Sequence, residues 1–205
     1  MRMAHASRKR LPIFDAAVAV FSEKGFTRAT MEEIAKRAGI AKGTLYNNYR
    51  SKKALFLSLI EEGIERLETA VKREIARKED ILGRLEALIG AQLGFFEEHR
   101  DYCKILLSEV WGLGNRWEKQ VERLRSGYIS IIKDLLQKGQ VEGIIRKNLE
   151  VDTAATAVFG AVAVAALNAF VFDTQYRYDG ILQTLKDLLL AGIREPAGTV
   201  AAPKS

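Results

Sequence analysis

Residues 38–55, AGIAKGTLYNNYRSKKAL, place two glycines and a cluster of lysine and arginine in a stretch that otherwise favours helix. Gly43 is notable because a glycine inside a helix costs about 1 kcal/mol relative to alanine. We interpret that cost as a sign that a partner approaches the backbone closely at this point. The residue types of this segment therefore indicate binding rather than catalysis.

The positive charge of the chain is concentrated at one end. Residues 1–53 hold 12 Lys and Arg against 4 Asp and Glu, whereas residues 54–205 hold 20 against 22. This asymmetry predicts a module that binds a polyanion, joined to a body of nearly neutral charge. A basic face that is only solvated is the alternative interpretation.

The rest of the chain offers few residues for catalysis. It has two histidines, His5 and His99, one cysteine, and neither a phosphate-binding loop nor paired metal-ligand spacings. We therefore expect no enzyme activity, no metal and no cofactor. Cys103 cannot form an intrachain disulfide, and the opening residues MRMAHASRKR contain no apolar signal region, so we expect a cytoplasmic protein. Cys103 itself is either a small core residue or a redox sensor.

Apolar residues recur at helical spacing along most of the chain, which contains only three prolines. The pattern predicts an all-α fold of about nine helices, of which the first ends at Lys24-Gly25 and the fourth is capped by Ser51. We place a polar break between helices at His99-Arg100-Asp101. The later helices are predicted at 81–96, from Ile105, from Asn115, at 157–172 and at 181–189.

The second and third predicted helices form a helix-turn-helix. Thr30-Met31-Glu32-Glu33 is a capping-box pattern that starts the second helix, and Gly39 supplies the left-handed turn that ends it. If Leu45 of the third helix points inward, Gly43 and Asn47 lie on its outer side. In this motif the second of the two helices enters the major groove of DNA.

Phe21–Leu55, FSEKGFTRATMEEIAKRAGIAKGTLYNNYRSKKAL, resembles the DNA-binding segment of the TetR family of transcriptional regulators. Asn47 is the expected base reader, since an asparagine amide can pair with adenine N6 and N7, and the tyrosine and lysines are expected to contact phosphates. Ala41 departs from the family pattern, where a serine cap is frequent, and so does Asn47-Asn48-Tyr49, where aromatic residues or histidine are common. The resemblance implies DNA contacts from eight positions, namely Thr30, Lys42, Gly43, Thr44, Tyr46, Asn47, Asn48 and Lys52.

An almost wholly apolar run occupies residues 157–172. With about 16 residues it falls short of the roughly 20 needed to span a membrane, so we expect burial on all sides. In the family that the sequence resembles, the last two helices pair with those of a second subunit. We therefore predict a homodimer formed through the last two helices and no membrane partner.

Polar residues interrupt three apolar stripes of the predicted body. Gln92, Tyr128 and Asn168 each place a polar group where a dry core is expected. They either bond to one another and to nearby backbone, or they orient a ligand in a pocket whose walls include Phe96 and Trp111. The composition favours an apolar or amphipathic ligand of unknown identity.

The sequence thus predicts a helix-turn-helix DNA-binding domain at 1–53, a helical effector-binding and dimerisation domain at 54–195, and a flexible tail at 196–205. We expect a sequence-specific transcriptional regulator, a repressor that a small ligand releases from a palindromic double-stranded DNA operator. The long fourth helix, which links the two domains, is the expected lever. A DNA-binding regulator without a ligand and a basic protein that binds membrane surfaces are the alternatives.

Overall fold

The computed structural model describes residues 11–106, 118–172 and 177–196, and within these ranges it contains nine helices and no strand beyond one isolated bridge between Ile145 and Arg194. The predicted all-α fold is confirmed. The helices are α1 (Leu11–Arg28), α2 (Met31–Arg37), α3 (Lys42–Asn48), α4 (Lys52–Ile75), α5 (Ile81–Glu98), α6 (Arg100–Ile105), α7 (Glu118–Val141), α8 (Val151–Phe172) and α9 (Tyr178–Ile193).

The chain divides into two compact units. The first contains the described residues up to Arg66 and those between His99 and Leu124. The second contains Leu67–Glu98 and the described residues from Arg125 onward. Helix α4 therefore begins in the first unit and ends in the second.

Local signals in the sequence set the boundaries of the first three helices. Gly25 leaves helical geometry with φ 70° and ψ 166°, which interrupts α1 where the sequence predicts its end. The Thr30 hydroxyl accepts a hydrogen bond from the Glu33 amide at 3.2 Å, and the Glu33 carboxylate accepts one from the Thr30 amide at 3.1 Å. Gly39 has φ 65°, so the capping box and the glycine turn that the sequence predicts are both confirmed.

Aromatic side chains form the core beside the helix-turn-helix. The rings of Phe21 and Phe26 both meet Phe56 edge to face, at centroid distances of 5.2 Å and 5.1 Å. Edge-to-face contact is a favoured arrangement of aromatic rings and adds to the burial of their apolar area. Helix α2 packs against α1 and α3, and Leu45 of α3 is fully buried.

The polar break that the sequence predicts at His99-Arg100-Asp101 is shorter in the structure, because α6 already begins within it. The helix begins at Arg100, and Ile105, the predicted start, is its last residue. The break between α5 and α6 is confined to His99, because Arg100 and Asp101 form the exposed side of the first turn of α6, while Tyr102 on its inner side is buried. The Tyr102 hydroxyl donates to the carbonyl of Ile60 at 3.0 Å, and its ring lies against Gly63 of α4.

Helix α8 corrects two further predictions. It begins at Val151, where the Glu150 carboxylate accepts hydrogen bonds from the amides of Asp152 and Thr153 at 3.0 Å and 2.7 Å. The part of the chain that the structure describes holds this one helix long and apolar enough to cross a membrane, with mean hydropathy 1.7, so length does not exclude a span. Within the single chain the burial of α8 is incomplete, since Val164 is 62% exposed.

Packing explains α8 better than a membrane does. Its inner face carries small and apolar side chains that are fully buried, and the helix packs against α5 and α9 within the second unit. These buried residues include Ala155, Val162, Ala163 and Ala166. We conclude that α8 is a core helix whose exposed side carries Ala157 and Val164 together with polar residues such as Asn168.

Gly63→Ala should destabilise the first unit. The added methyl group would lie 2.0 Å from Cζ of Tyr102, so the buried ring must move. We expect the free energy of unfolding to fall by about 1–3 kcal/mol in chemical denaturation. Gly43→Ala is the matched control, because no atom lies within 4 Å of the added group there, and it should cost nothing. Equal denaturation midpoints for the two variants would contradict this packing.

Candidate nucleic-acid interface

Helix α3 is almost entirely exposed. Leu45 is its only buried residue, and Tyr46 is 42% exposed. The predicted contact residues Gly43, Thr44, Tyr46, Asn47 and Asn48 therefore all lie on accessible faces of one seven-residue helix. A helix with one apolar residue gains little from burial in its own subunit, and this exposed polar face is the arrangement that major-groove binding requires.

Gly43 lies where the sequence places the closest approach to the helix backbone. Nothing within 4 Å would meet a Cβ at this position, so packing inside the chain does not require a glycine there. Ala41, the residue before the first residue of α3, occupies the cap position of this helix and makes no side-chain hydrogen bond to it. The sequence predicts that α3 lacks a side-chain cap, and the structure confirms it. Helix α3 therefore depends on its neighbours for stability.

The other predicted DNA-contact residues have partners inside the protein. Thr30 caps α2, and the Asn48 side-chain amide donates to the Thr44 carbonyl at 2.7 Å. Lys42 forms an ion pair with Glu32, whose carboxylate raises the pKa of Lys42 and keeps the ammonium charged. Lys52 donates to two backbone carbonyls near the end of α1. The structure brings the predicted residues to α3 and to the ends of its neighbouring helices.

Two ion pairs join α1 to α2 next to the exposed helix. Lys24 pairs with Glu33, and Arg37 pairs with Glu23 at 2.6 Å. All four side chains are substantially exposed, so each pair contributes little to stability. Within each pair the opposite charges cancel, so these four side chains add no net charge to this surface.

Three of the five predicted ligand residues form one buried cluster in the second unit. Gln92 is fully buried, its side-chain amide donates to the Phe159 carbonyl at 3.0 Å, and its side-chain oxygen accepts from the Tyr128 hydroxyl at 2.9 Å. Phe96 is buried beside them, with its ring centroid 6.3 Å from that of Phe159. Asn168 is exposed and does not join this cluster, and Trp111 lies outside the described residues.

Burial and hydrogen bonding account for two further sequence-predicted groups. Burial raises the pKa of the Tyr128 hydroxyl above its ordinary value, so Tyr128 stays neutral and serves as the hydrogen-bond donor to Gln92. Cys103 is fully buried, and burial raises the pKa of its thiol to about 12. Because the thiolate is the reactive form, this environment favours the core-residue interpretation of Cys103 over a redox sensor.

An open groove of about 520 Å³ lies in the second unit, at residues that the sequence interpretation missed. Its apolar base is formed by Ala87, Gly90, Ala91 and Gly94 of α5, which are spaced so that they share one helix face. That spacing of small residues was the available sequence signal. Charged side chains of both signs border the groove, namely Arg73, Glu74, Lys78, Glu86, Glu98 and Lys186.

Two family models match this chain. The model for bacterial regulatory proteins of the tetR family matches residues 13–59, and the model for the tetracyclin repressor-like C-terminal domain matches residues 78–166. Together they account for about two thirds of the sequence, including the exposed α3 and the groove-lining face of α5.

The chain belongs to the TetR family. It is a DNA-binding transcriptional regulator, as the sequence predicts. This TetR-family chain is 26% identical over 189 residues to a fatty acid metabolism regulator protein from Bacillus subtilis, covering 90% of the chain and 95% of that protein. It is 27% identical over 145 residues to the HTH-type transcriptional repressor KstR2 from Mycobacterium tuberculosis, covering 70% and 72%.

A solved structure shares the whole fold. The crystal structure of the transcriptional regulator FadR from Bacillus subtilis in complex with stearoyl-CoA superposes with a TM-score of 0.82 at 24% identity. The superposition covers 90% of this TetR-family chain and 99% of the FadR chain. The shared fold extends through both units, whereas the motifs of the sequence resemblance lie in Phe21–Leu55.

Asn47→Ala and Tyr46→Ala should weaken DNA binding in different ways. We expect Asn47→Ala to relax base preference by about 1–3 kcal/mol at one position per half-site, because it removes an amide that can pair with adenine. Tyr46→Ala should weaken all duplexes alike, because it removes a backbone contact. Footprinting titrations on randomised half-sites measure both effects. Val141→Ala, which alters an exposed residue of the second unit, is the control. Wild-type binding by both α3 variants would refute the assignment of this face.

Proposed function

We propose that this chain is a cytoplasmic, homodimeric repressor that leaves a palindromic operator when a long-chain acyl-CoA binds to its second unit. The observation that carries the DNA-binding part is the exposure of every residue of α3 except Leu45. The effector and the dimer rest on separate observations in the second unit. The proposed domains are a DNA-binding domain at 1–53, an effector-binding and dimerisation domain at 54–195, and a tail at 196–205.

The geometry of α3 supports reading of the major groove. That groove is about 12 Å wide and admits one α-helix, whose exposed side chains then reach the base edges. Asn47 and Thr44 can form hydrogen bonds with bases, while Gly43 permits close approach of the helix backbone. The hydrogen bond from Asn48 to Thr44 holds the Asn48 amide against α3, so Asn47 is the stronger candidate base reader.

The exposed side of α8 and α9 supports a homodimer. Val164 on α8 and Leu188 on α9 are 62% and 69% exposed. Ala157 is also exposed, and it lies two helical turns before Val164 on the same side of α8. Gly160 lies between them, and nothing within 4 Å would meet a Cβ there. Small residues on an exposed apolar face permit a second helix to approach closely. Pairing two such faces also provides two copies of α3, which a palindromic operator requires.

The effector proposal combines the relatives with the groove. One relative is named a fatty acid metabolism regulator, and FadR, which has the same fold, is described in complex with stearoyl-CoA. The groove volume of about 520 Å³ lies in the range of small-molecule sites. Its alanine and glycine base suits an acyl chain, and the ammonium and guanidinium groups of Lys78 and Arg73 suit phosphates.

The buried cluster of Gln92 and Tyr128 is a weaker candidate site than the groove. Both side chains bond to each other, and Gln92 also bonds to backbone, so a ligand entering there must replace two hydrogen bonds in a dry core. The groove is already open to solvent, and the interactions that a phosphate would replace there, such as the pair of Arg73 with Glu74, lie at its exposed border. We therefore place the effector in the groove and assign Gln92, Phe96 and Tyr128 to its packed support.

Leu188→Glu and Ala165→Glu should break the dimer. Leu188 is exposed on α9, and Ala165 is half-buried on α8 next to the exposed Val164, so association at these helices would bury an unpaired carboxylate. We expect monomers in sedimentation velocity, or insoluble protein if the monomer cannot fold. Val141→Glu, at an 87% exposed position of α7, is the matched control and should remain dimeric. Wild-type protein that sediments as a monomer at micromolar concentration would refute the dimer.

Stearoyl-CoA should lower operator affinity about 100-fold, which corresponds to about 2.7 kcal/mol of coupling. Fluorescence anisotropy with labelled operator measures the change, and free CoA at the same concentration should have no effect. Ala91→Phe should fill the groove and abolish the response while operator affinity without ligand is retained. Ala76→Phe, at an exposed turn outside the groove lining, should respond like wild type.

Two outcomes would contradict the effector assignment. If acyl-CoA changes neither operator affinity nor melting temperature, the chain is a regulator without this class of ligand. If Ala91→Phe responds like wild type, the effector binds elsewhere in the second unit. The DNA-binding assignment would stand in both cases, since it rests on α3.

A further inference from the structure

The side chain of Lys52 joins two helices of the DNA-binding unit. Its ammonium donates hydrogen bonds to the carbonyl of Thr27 at 3.0 Å and to the carbonyl of Ala29 at 2.7 Å. The same Nζ lies 4.7 Å from the centroid of the Phe26 ring, within the range of a cation–π interaction. Three groups of one segment therefore surround the Lys52 ammonium.

The charge of Lys52 suits the end of α1 better than the start of α4. Lys52 is the first residue of α4, where the partial charge of the helix end is positive and disfavours a cation. The carbonyls at the end of a helix carry partial negative charge, and Gly25 has already interrupted α1 before this end. The Lys52 side chain thus extends away from the start of α4, where its charge is disfavoured. Its ammonium instead forms charge-assisted hydrogen bonds to carbonyls near the end of α1.

These contacts close a loop that contains the whole helix-turn-helix. Thr27 lies at the end of α1 and Ala29 lies in the connection to α2, whereas Lys52 follows α3 after a short connection. A single side chain therefore joins the point where the chain enters this motif to the point where it leaves. Leu45 is the only buried residue of α3, so few other contacts determine the orientation of that helix.

We propose that Lys52 is a positioning residue for operator binding, and that it acts by fixing the helix-turn-helix against the first turn of α4 instead of by neutralising a phosphate. Its ammonium is held against α1, whereas the DNA-facing side chains of α3 are exposed. Loss of this contact changes the orientation of α3. Binding that depends on base contacts is then lost more than binding that depends on charge alone.

Salt dependence separates the two roles of Lys52. A residue that neutralises phosphates contributes about 0.9 per phosphate to the slope of log affinity against log salt concentration. We expect Lys52→Met to lower operator affinity at least about 10-fold, to lower affinity for a scrambled duplex much less, and to keep the wild-type slope. Lys36→Met, at an exposed position of α2, gives the slope change that the loss of one charge produces by itself.

Phe26→Leu provides a second test that keeps the charge. It removes the ring beside the ammonium while an apolar side chain still fills the core near Phe21 and Phe56. We expect the same preferential loss of operator affinity with an unchanged slope, at a temperature where circular dichroism shows folded protein. This variant decides the question if Lys52→Met does not fold.

The opposite pattern would overturn the proposal. Lys52→Met would then weaken operator and scrambled duplex by the same factor and reduce the slope by about 0.9 per half-site beyond the Lys36→Met control. Phe26→Leu would bind both duplexes like wild type. Such results would assign Lys52 to a phosphate contact, and the role of α3 in DNA binding would be unaffected.

Discussion

The position of the DNA-binding helix depends on the burial of one side chain, Leu45. Helix α3 has seven residues, lacks a side-chain cap, and exposes every residue except this leucine. A helix of that length is not stable in isolation, so its packing against α2 must hold it. The arrangement explains how a short segment can be ordered and still present nearly all of its surface to a partner.

The elements around α3 supply the order that α3 lacks. The capping box at Thr30 and Glu33 starts α2 at a defined residue, and the positive φ of Gly39 sets the turn into α3. Aromatic contacts among Phe21, Phe26 and Phe56 join α1 to α4 within the same unit. Local backbone chemistry thus determines the direction of the chain, and the aromatic core gives it stability.

Helix α4 contributes residues to the DNA-binding unit and to the groove of the second unit. Its first residue, Lys52, contacts the end of α1, and its last turns contribute Ala70, Arg73 and Glu74 to the groove. The same helix thus holds residues of the DNA-binding unit at its start and residues of the proposed effector groove at its end. The buried pair of Gln92 and Tyr128 holds helices of the second unit together. Its satisfied hydrogen bonds favour a single arrangement of α5, α7 and α8.

The sequence by itself determined the all-α class, the family, and the helix-turn-helix with its capping box, glycine turn and inward Leu45, because these depend on residues close together in the chain. Only the tertiary structure decided that Tyr102 of α6 is buried against α4 and that Asn168 is exposed. It also decided which partners Gln92 and Lys52 take and where a groove opens on α5. Periodicity identifies the apolar face of a helix, but the neighbour that covers this face comes from a distant part of the chain, and the helix sequence does not specify it.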